Sequence, residues 1–170
     1  RLLTGNHVLS VEHEHTPGKE GRLVATLDGR KMLKLALPIQ DSNRFESTLE
    51  DAQNIFRMDA SYTASVRFQT KGEGTLFSKS ALDAKWSPNA KALFIRNGRL
   101  VYDIGWVGAM DSDATVNDGQ PHHVVLQVRD GETRLFLDGE PIASKEGFST
   151  KDEPLHRFKI GHSASDFGLD

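Results

Sequence analysis

Two Asp-Gly pairs divide residues 117–144 into three short runs in which apolar and polar residues alternate. Asp-Gly is a favoured two-residue hairpin loop, because both central residues of a type I′ turn need a positive φ. The alternation within each run is typical of a strand with one buried face. The segment therefore predicts a three-stranded antiparallel meander.

The first of the two turns fixes the register of its hairpin, because side chains alternate between the two faces of a strand. Counting outward from it places Leu126 opposite Leu135, on an apolar face that is predicted to be core. The second turn extends that face by placing Ile142 opposite Leu135. The other face is a mostly polar ladder, with His123 opposite Asp138, and it faces water or a ligand.

Two further hairpins turn at residues 28–29 and 97–98, and the first of them places Val24 opposite Leu33. Residues 61–69 alternate cleanly and predict a strand with one side facing water. Several hairpins with little helix between them are typical of an all-β protein. The pattern as a whole favours an antiparallel β-sandwich.

The N-terminal part carries weaker, short-range signals. Residues 1–20 form a polar leader that reads as a short strand followed by a Pro/Gly loop. His13 and His15 project from one face if that strand is extended, but two ligands rarely suffice for a metal, so solvent-facing histidines are favoured. The run from Ser47 to Glu50 matches a capping box and predicts a short helical turn.

Length and composition limit the classes of function. The 170 residues, 37% of them hydrophobic, are enough for a single domain over residues 1–170. A net charge of −3 with interspersed signs gives no attraction to nucleic acid or an anionic membrane, and no apolar run approaches the roughly 18 residues that span a bilayer. The absence of cysteine excludes disulfides and thiolate chemistry. The start at Arg1, without signal peptide or initiator Met, indicates an excised or processed segment.

Three stretches resemble the laminin G-like branch of the concanavalin A-like jelly rolls. They are the Asp-Gly, His-His-Val and Leu-Phe-Leu-Asp-Gly pattern of the meander, ALFIRNGRLVYDIGWVG at residues 92–108, and FKIGHSASDFGLD at residues 158–170. The resemblance covers residues 54–170 and implies a jelly-roll sandwich. It also implies a strand over residues 55–58, directly after the helical turn.

The chain departs from that family pattern in two places. Pro121 stands where family members have a Trp before the His-His pair, so a core aromatic is missing or comes from elsewhere. The chain stops at Asp170, where the family continues into a closing strand, so the sandwich is truncated or another segment takes that place. A truncated sandwich leaves an open strand edge, which can pair with another chain.

Catalytic patterns are absent from the sequence. It has no G-x-S-x-G elbow and no phosphate-binding Gly loop. Glycosidases need two carboxylates across one cleft, and relatives of this fold that hydrolyse glucans carry them at alternate positions of one strand. Glu12 and Glu14 alternate, as do Asp111 and Asp113, but the first pair lies in the polar leader and the second in a predicted loop. Both pairs are interpreted as solvated charge.

The resemblance implies one ion. Laminin G-like jelly rolls often bind Ca²⁺ at the sandwich rim through carboxylates and backbone carbonyls, and hard oxygen ligands suit this ion. Asp166 and Asp170 lie in the loop before the expected closing strand, and Asp170 matches the acidic position of the family after Phe-x-Gly. Asp41 approaches from the N-terminal half in this interpretation. The alternative is that these aspartates are turn residues.

We therefore predict a non-catalytic module, working outside the cell, at its surface or in the periplasm, that binds a glycan or a glycosylated protein. Sugar sites combine an aromatic platform with a few fixed polar groups. Six residues of these types lie in the predicted hairpins and loops. The alternative interpretation is that some of them, such as a loop Trp, pack on the core. The six residues are Trp86, Arg96, Tyr102, Asp103, Trp106 and His123.

Two alternatives stay open at this point. In the second interpretation the chain is a structural or protein-interaction domain of a larger extracellular protein, with neighbouring domains as partners and no sugar site. A polysaccharide hydrolase or lyase is the third interpretation, which rests on the fold alone.

Overall fold

The computed structural model describes residues 7–14, 21–27, 30–37, 44–54, 56–59, 61–82 and 85–164. No helix in these ranges is long and apolar enough to cross a membrane. The described ranges form a short helix, α1 (Leu49–Asn54), and the strands β1 (His7–Glu14), β2 (Gly21–Leu27), β3 (Arg30–Leu37), β4 (Phe45–Glu46), β5 (Tyr62–Gln69), β6 (Gly74–Ser80), β7 (Lys91–Arg96), β8 (Arg99–Ile104), β9 (Gly108–Thr115), β10 (Pro121–Arg129), β11 (Glu132–Leu137), β12 (Glu140–Glu146) and β13 (Arg157–Ile160).

These strands form two sheets that pack face to face, which confirms the predicted β-sandwich. The seven-stranded sheet has the order β12-β11-β10-β5-β1-β2-β3, and the six-stranded sheet has the order β4-β13-β6-β7-β8-β9. The neighbouring strands are antiparallel except that β1 runs parallel to β5. The edge strands β9 and β12 close one side of the sandwich, where Lys145 Nζ donates a hydrogen bond to the Ala109 carbonyl at 2.9 Å.

The register of the meander is the predicted one. Leu126 pairs with Leu135 on the core side, and both are fully buried. Asp130 and Gly131 have φ values of 53° and 81°, as a type I′ turn requires. The hairpin at residues 97–98 pairs Ile95 with Leu100, which is the pairing that counting outward from its turn predicts. Two-residue turns with positive φ therefore fix these registers from the sequence.

The predicted register of the N-terminal hairpin is wrong by one residue. Val24 pairs with Lys34, and Leu33 lies opposite Ala25. The pairing shifts between Ala25 and Thr26, because β3 carries one extra residue there. Such a β-bulge places two residues of one strand opposite one of its partner, so counting outward from the turn fails beyond it.

A second bulge changes the pairing of β12. Leu135 lies opposite Ala143, not opposite Ile142 as predicted, because the register shifts between Leu135 and Phe136. Ile142 and Ala143 both pack against the core from their partly buried positions. The apolar face is therefore extended by two neighbouring residues of β12 instead of one.

The predicted capping box is displaced by one residue. Thr48 caps α1, since its Oγ1 accepts a hydrogen bond from the Asp51 N–H at 3.0 Å. The Ser47 hydroxyl is already used, because it accepts from the Phe158 N–H of β13 at 3.1 Å. The strand implied for residues 55–58 is not formed at residues 56–58, which follow the helix as irregular chain.

The core lies between the two sheets and has its own aromatic cluster. Phe56 stacks on Phe158 with ring centroids 4.5 Å apart, and Phe77 lies 5.9 Å from Phe158. Pro121 is exposed at the start of β10, so the aromatic rings of the core come from other positions. Fully buried Tyr102 is one of these positions.

A buried charge cluster ties the end of the sandwich together. Lys79 and Lys91 lie opposite each other in β6 and β7, and both are buried. The Asp152 carboxylate lies 2.5 Å from Lys79 Nζ through Oδ2 and 2.8 Å from Lys91 Nζ through Oδ1. Lys79 Nζ also donates to the carbonyls of Ala52 and Phe56 at 2.7 and 2.8 Å. Burial acts to raise the pKa of Asp152, but the two ammonium groups outweigh it and leave this pKa below its usual value.

We expect Asp152→Asn to lower the free energy of unfolding by about 3–5 kcal/mol, because the variant leaves two buried ammonium groups without a counter-charge. Urea denaturation at pH 7 measures this loss. Asp113→Asn is the matched control, since Asp113 is fully exposed beside Arg99 and its loss should leave stability nearly unchanged. Equal effects of the two variants would show that the buried cluster does not hold the fold.

Candidate functional site

The six residues predicted to bind a ligand lie in four different environments. Three lie on the outer face of the six-stranded sheet, one in the turn between β8 and β9, one in the core and one on the outer face of the seven-stranded sheet. In that order they are Trp86, Arg96 and Asp103, then Trp106, Tyr102 and His123.

Tyr102 belongs to the core. Its side chain is 0% exposed, its hydroxyl lies 2.8 Å from the Tyr62 hydroxyl, and its ring meets Phe148 edge-on. Burial raises the pKa of Tyr102, so the phenol stays neutral. Successive side chains of a strand point to opposite faces, so Tyr102 points inward and Asp103, the next residue of β8, points outward. The ring of Tyr102 is therefore closed to a surface ligand.

The middle of the outer face of the six-stranded sheet is covered. Phe94 and Val101 are buried there, and Trp86 packs against them from its loop. Trp86 thus caps an apolar cluster, while part of its side chain stays exposed. In the described part of the chain, the side chains of this face that stay open to a ligand lie at its border.

Asp103 and Arg96 lie at that border. The Arg96 guanidinium sits 4.7 Å from the centroid of the Phe94 ring. Asp103 is half-buried, and burial is the largest cause that raises its pKa, with Asp111 adding to the rise and Arg96 opposing it. The strand neighbours of Asp103 are alanines, one of them Ala109, which do not cover its carboxylate.

Asp111 and Asp113 lie within β9, so their prediction as loop residues is wrong. Both side chains are exposed on alternate positions of this edge strand. Asp113 Oδ1 lies 3.2 Å from an Arg99 nitrogen. This exposure supports their interpretation as solvated charge.

Trp106 is the most exposed large hydrophobic residue in the described part of the chain, with 73% of its surface open to solvent. It lies in the turn 105–107 with a φ of 63°, a backbone conformation that residues other than Gly rarely adopt. The turn is nevertheless fixed. Gly105 donates to the Ala90 carbonyl at 2.7 Å and accepts from the Asn89 N–H at 3.0 Å. A Cβ on Gly105 would lie 2.0 Å from the Ser87 carbonyl oxygen, so only Gly permits this approach.

The loop that carries Trp86 is anchored in turn by the segment 147–156. Ser87 Oγ lies 3.0 Å from His156 Nε2, and Asn89 Nδ2 donates to Glu153 Oε1 at 2.6 Å. Loops 85–90, 105–107 and 147–156 therefore meet at one end of the sandwich. We call the set Trp86, Asp103 and Trp106 the tryptophan rim.

His123 lies on the opposite sheet and opposite Asp138, as predicted, since the Asp138 N–H donates to the His123 carbonyl at 2.8 Å. Asp138 is next to His123, but its carboxylate accepts from the His123 backbone N–H at 2.7 Å and meets His122 Nδ1 at 2.8 Å. The His123 ring instead lies 2.7 Å from Ser65 Oγ through Nε2. Asp138 has a φ of 53°, as the predicted turn requires, and from this turn its carboxylate contacts His122 and not the His123 ring.

His122 is a residue that the sequence analysis missed. Its second ring nitrogen lies 3.2 Å from Asp118 Oδ1, so the imidazole bridges the loop before β10 and the turn after β11. The hydrogen bond to Asp138 is the largest cause that raises the pKa of His122. The adjacent His-His pair could have drawn attention to His122. However, its two rings point to opposite faces of β10, so the pair does not act as one site.

The open face of the seven-stranded sheet is a second candidate surface, which we define by Ser65, Arg67, His123, Gln127 and Phe136. Their alternation in β5, β10 and β11 places them together outside the core. In the described ranges Arg67 has no hydrogen-bond or ion-pair partner, and no carboxylate contacts the His123 ring. Among the described residues, the pair of Ser65 and His123 therefore has no third, acidic partner of the kind that orients a catalytic histidine.

A cavity of about 240 Å³ lies against Asp152. Its polar walls are already engaged, since Arg57 is held by Asp59 through two hydrogen bonds and Gln53 Nε2 donates to the Pro154 carbonyl. The cavity therefore offers a ligand few free polar groups.

The predicted metal ligands are not placed by the structure. Asp41, Asp166 and Asp170 lie outside the described residues, as does His15, and the side chain of His13 in β1 is not described either. Within the described ranges, no group of three His, Asp or Glu residues can hold a metal ion. Calcium binding stays a prediction.

We expect Trp106→Gly to be at least as stable as the wild type, because Gly adopts a positive φ freely and little buried surface is lost. Trp106→Val should be less stable than Trp106→Gly by about 1–2 kcal/mol, since a β-branched side chain fits this conformation poorly. Chemical denaturation of both variants tests this. A Gly variant less stable than the Val variant would show that the positive φ does not strain this turn, and a Gly variant less stable than the wild type would show that the indole stabilises the fold.

Comparison with known proteins gives a fold. No protein-family model and no curated protein matches the sequence. The Ruminococcus gnavus IT-sialidase CBM40 bound to alpha2,3 sialyllactose matches with a TM-score of 0.60 at 16% identity, over 75% of this chain and 78% of that one. A second structure of that CBM40 matches with a TM-score of 0.59 at 19% identity, over 77% and 84%. The LG1-3 region of the laminin alpha2 chain matches with a TM-score of 0.50 at 13% identity, over 81% of this chain and 28% of that one. The chain therefore has the concanavalin A-like jelly-roll fold that this CBM40 and the laminin G domains share.

Proposed function

We propose that this protein is a non-catalytic recognition module whose tryptophan rim binds a glycan, free or carried by a protein. The observation that carries the proposal is Trp106, which is held with its indole exposed on a fixed turn of positive φ. Both the exposure and the backbone conformation cost free energy, and the fold gains little from either. A residue kept in this way is suited to contact a ligand.

The chemistry of the rim fits a sugar. The flat face of an indole packs on the apolar face of a pyranose ring, and a carboxylate accepts hydrogen bonds from its hydroxyl groups. Asp103 is the last outward-facing residue of β8, three positions before Trp106, and its carboxylate is only half-buried. The sialyllactose bound to the CBM40 structure supports a glycan as the ligand class.

A protein partner is the second candidate, and a specific observation favours it. Three further large hydrophobic residues are exposed in the loops at the same end of the sandwich, namely Leu82, Val107 and Leu155. Several polar groups between these loops already bind one another, as Ser87 does with His156. An apolar surface of this kind is typical of protein contacts. In either case we propose an extracellular, cell-surface or periplasmic setting, next to further domains of a larger protein.

A glycan array with the isolated domain tests the proposal. We expect the wild type to bind a defined set of glycans, and Trp106→Ala to weaken that binding at least tenfold because the stacking platform is gone. Arg67→Ala is the matched control, because Arg67 lies on the open face of the other sheet and its loss should leave binding intact.

The reverse result would move the site. If Arg67→Ala abolished binding while Trp106→Ala kept it, the glycan would lie on the open face of the seven-stranded sheet. An array without any specific binding would favour the protein partner over the glycan.

The calcium prediction is tested separately by melting curves. If Asp41, Asp166 and Asp170 hold Ca²⁺, a few millimolar Ca²⁺ should stabilise the fold by about 1–2 kcal/mol, and Mg²⁺ by less, because Mg²⁺ demands stricter octahedral geometry. Asp170→Asn should remove most of the Ca²⁺ effect and leave the metal-free melting temperature nearly unchanged. Indifference of the wild type to both Ca²⁺ and EDTA would exclude the site.

A further inference from the structure

His156 occupies a buried position between the charge cluster and the tryptophan rim. Only 5% of its surface is exposed, and it lies where the segment 147–156 enters β13. Its Nε2 meets Ser87 Oγ at 3.0 Å, and its backbone N–H donates to the Glu153 carbonyl at 3.1 Å. The imidazole therefore links two loops that are distant in the sequence.

A positive charge on His156 is disfavoured on balance by its burial and by the two nearby lysines. The charged groups that act on it are Lys79, Lys91, Asp152 and Glu153. Both oxygens of Asp152 are held by the two lysines, and Glu153 Oε1 accepts from Asn89. Burial is the largest cause that lowers the pKa of His156, the lysines act in the same direction, and the two carboxylates oppose them.

Ser87 contacts both His156 and the two loops that carry the tryptophans, so a movement of His156 displaces both loops. Ser87 follows Trp86 directly, and its carbonyl accepts from the Ala90 N–H at 3.2 Å. The same carbonyl oxygen is the atom against which Gly105 packs. A shift of Ser87 therefore displaces the turn that fixes Trp106.

We propose that His156 is an acid-sensitive latch on the tryptophan rim: the neutral imidazole holds Ser87 from its buried position, and a proton on the ring makes that position unfavourable, so that the ring moves toward water and releases the loops that carry Trp86 and Trp106. Resting on the proposed function, the consequence is that ligand is released in mild acid. The direction follows from linkage. The latch contributes its full stability above the unfolded pKa of about 6.5, and that contribution is lost as the pH falls toward the lower folded pKa.

Intrinsic fluorescence reads the latch without any ligand, because the chain has only two tryptophans and both belong to the rim. Titration of the wild type from pH 7.5 to 4.5 should shift the emission, with a midpoint below 6.5. His156→Gln should abolish the shift, since the amide can keep the hydrogen bond to Ser87 but does not take up a proton in this range.

His122→Gln is the matched control. His122 lies in another part of the sandwich and has a raised pKa, so its contribution is present below about 6.5 and is lost as the pH rises through that pKa. This variant should therefore keep the acid shift in emission. Wild-type fluorescence that does not change with pH, or an unchanged shift in His156→Gln, overturns the latch.

Two further measurements keep the proposal decidable. If His156→Gln fails to fold by circular dichroism, the ring titration of His156 by NMR in the wild type decides, and a pKa of 6.5 or above overturns the latch. For a glycan that the array identifies, we expect wild-type binding at pH 5 to be at least tenfold weaker than at pH 7.5, and His156→Gln to change less than twofold; equal wild-type affinities overturn the release. A silent array contradicts only the glycan proposal, because the fluorescence shift is measured without sugar.

Discussion

The end of the sandwich that bears the candidate site depends on one carboxylate. Asp152 is the common partner of two buried lysines, and a buried ammonium is tolerated only when it is paired and hydrogen-bonded. Lys79 adds hydrogen bonds to α1 and to Phe56, so the same cluster fixes the helix as well. The segment that Asp152 anchors then holds the loops of the rim through Glu153 and His156. The cluster is important through its connections, since it joins β6, β7, α1 and the segments 56–58 and 147–156.

Much of the fold was predictable because its turns are local. The Asp-Gly and Asn-Gly turns need only adjacent residues, and the strands beside them alternate, so the registers around residues 97–98 and 130–131 follow from counting. The bulges beside Ala25 and Phe136 were not predictable in this way, because the first has no Gly or Pro beside it and Pro141 at the second does not fix where the extra residue falls. The displaced cap of α1 has a tertiary cause, since Ser47 bonds to Phe158 across 111 residues of sequence.

The candidate site was predictable only in part. Residue type and loop position singled out Trp106 and Asp103, which the structure leaves accessible. Tyr102 was grouped with them because both faces of its strand are partly apolar, so the alternation did not say which face is the core. The contacts of Ser87, Asn89 and Asp152 join residues more than 60 positions apart, and no periodicity encodes such meetings. Lys79 and Lys91 illustrate the limit, because lysine in a strand is ordinarily taken as a solvent-facing residue.

Both bulges that displaced the predicted registers lie in edge strands of the seven-stranded sheet, one in β3 and one in β12. An edge strand presents unpaired backbone N–H and C=O groups, which is a template for pairing with another chain and for aggregation. A bulge interrupts the even spacing of these groups and twists the strand, and Pro141 removes one donor from β12 altogether. The irregular edges that made the pairing hard to count therefore also make this sheet a poor template for growth by strand addition.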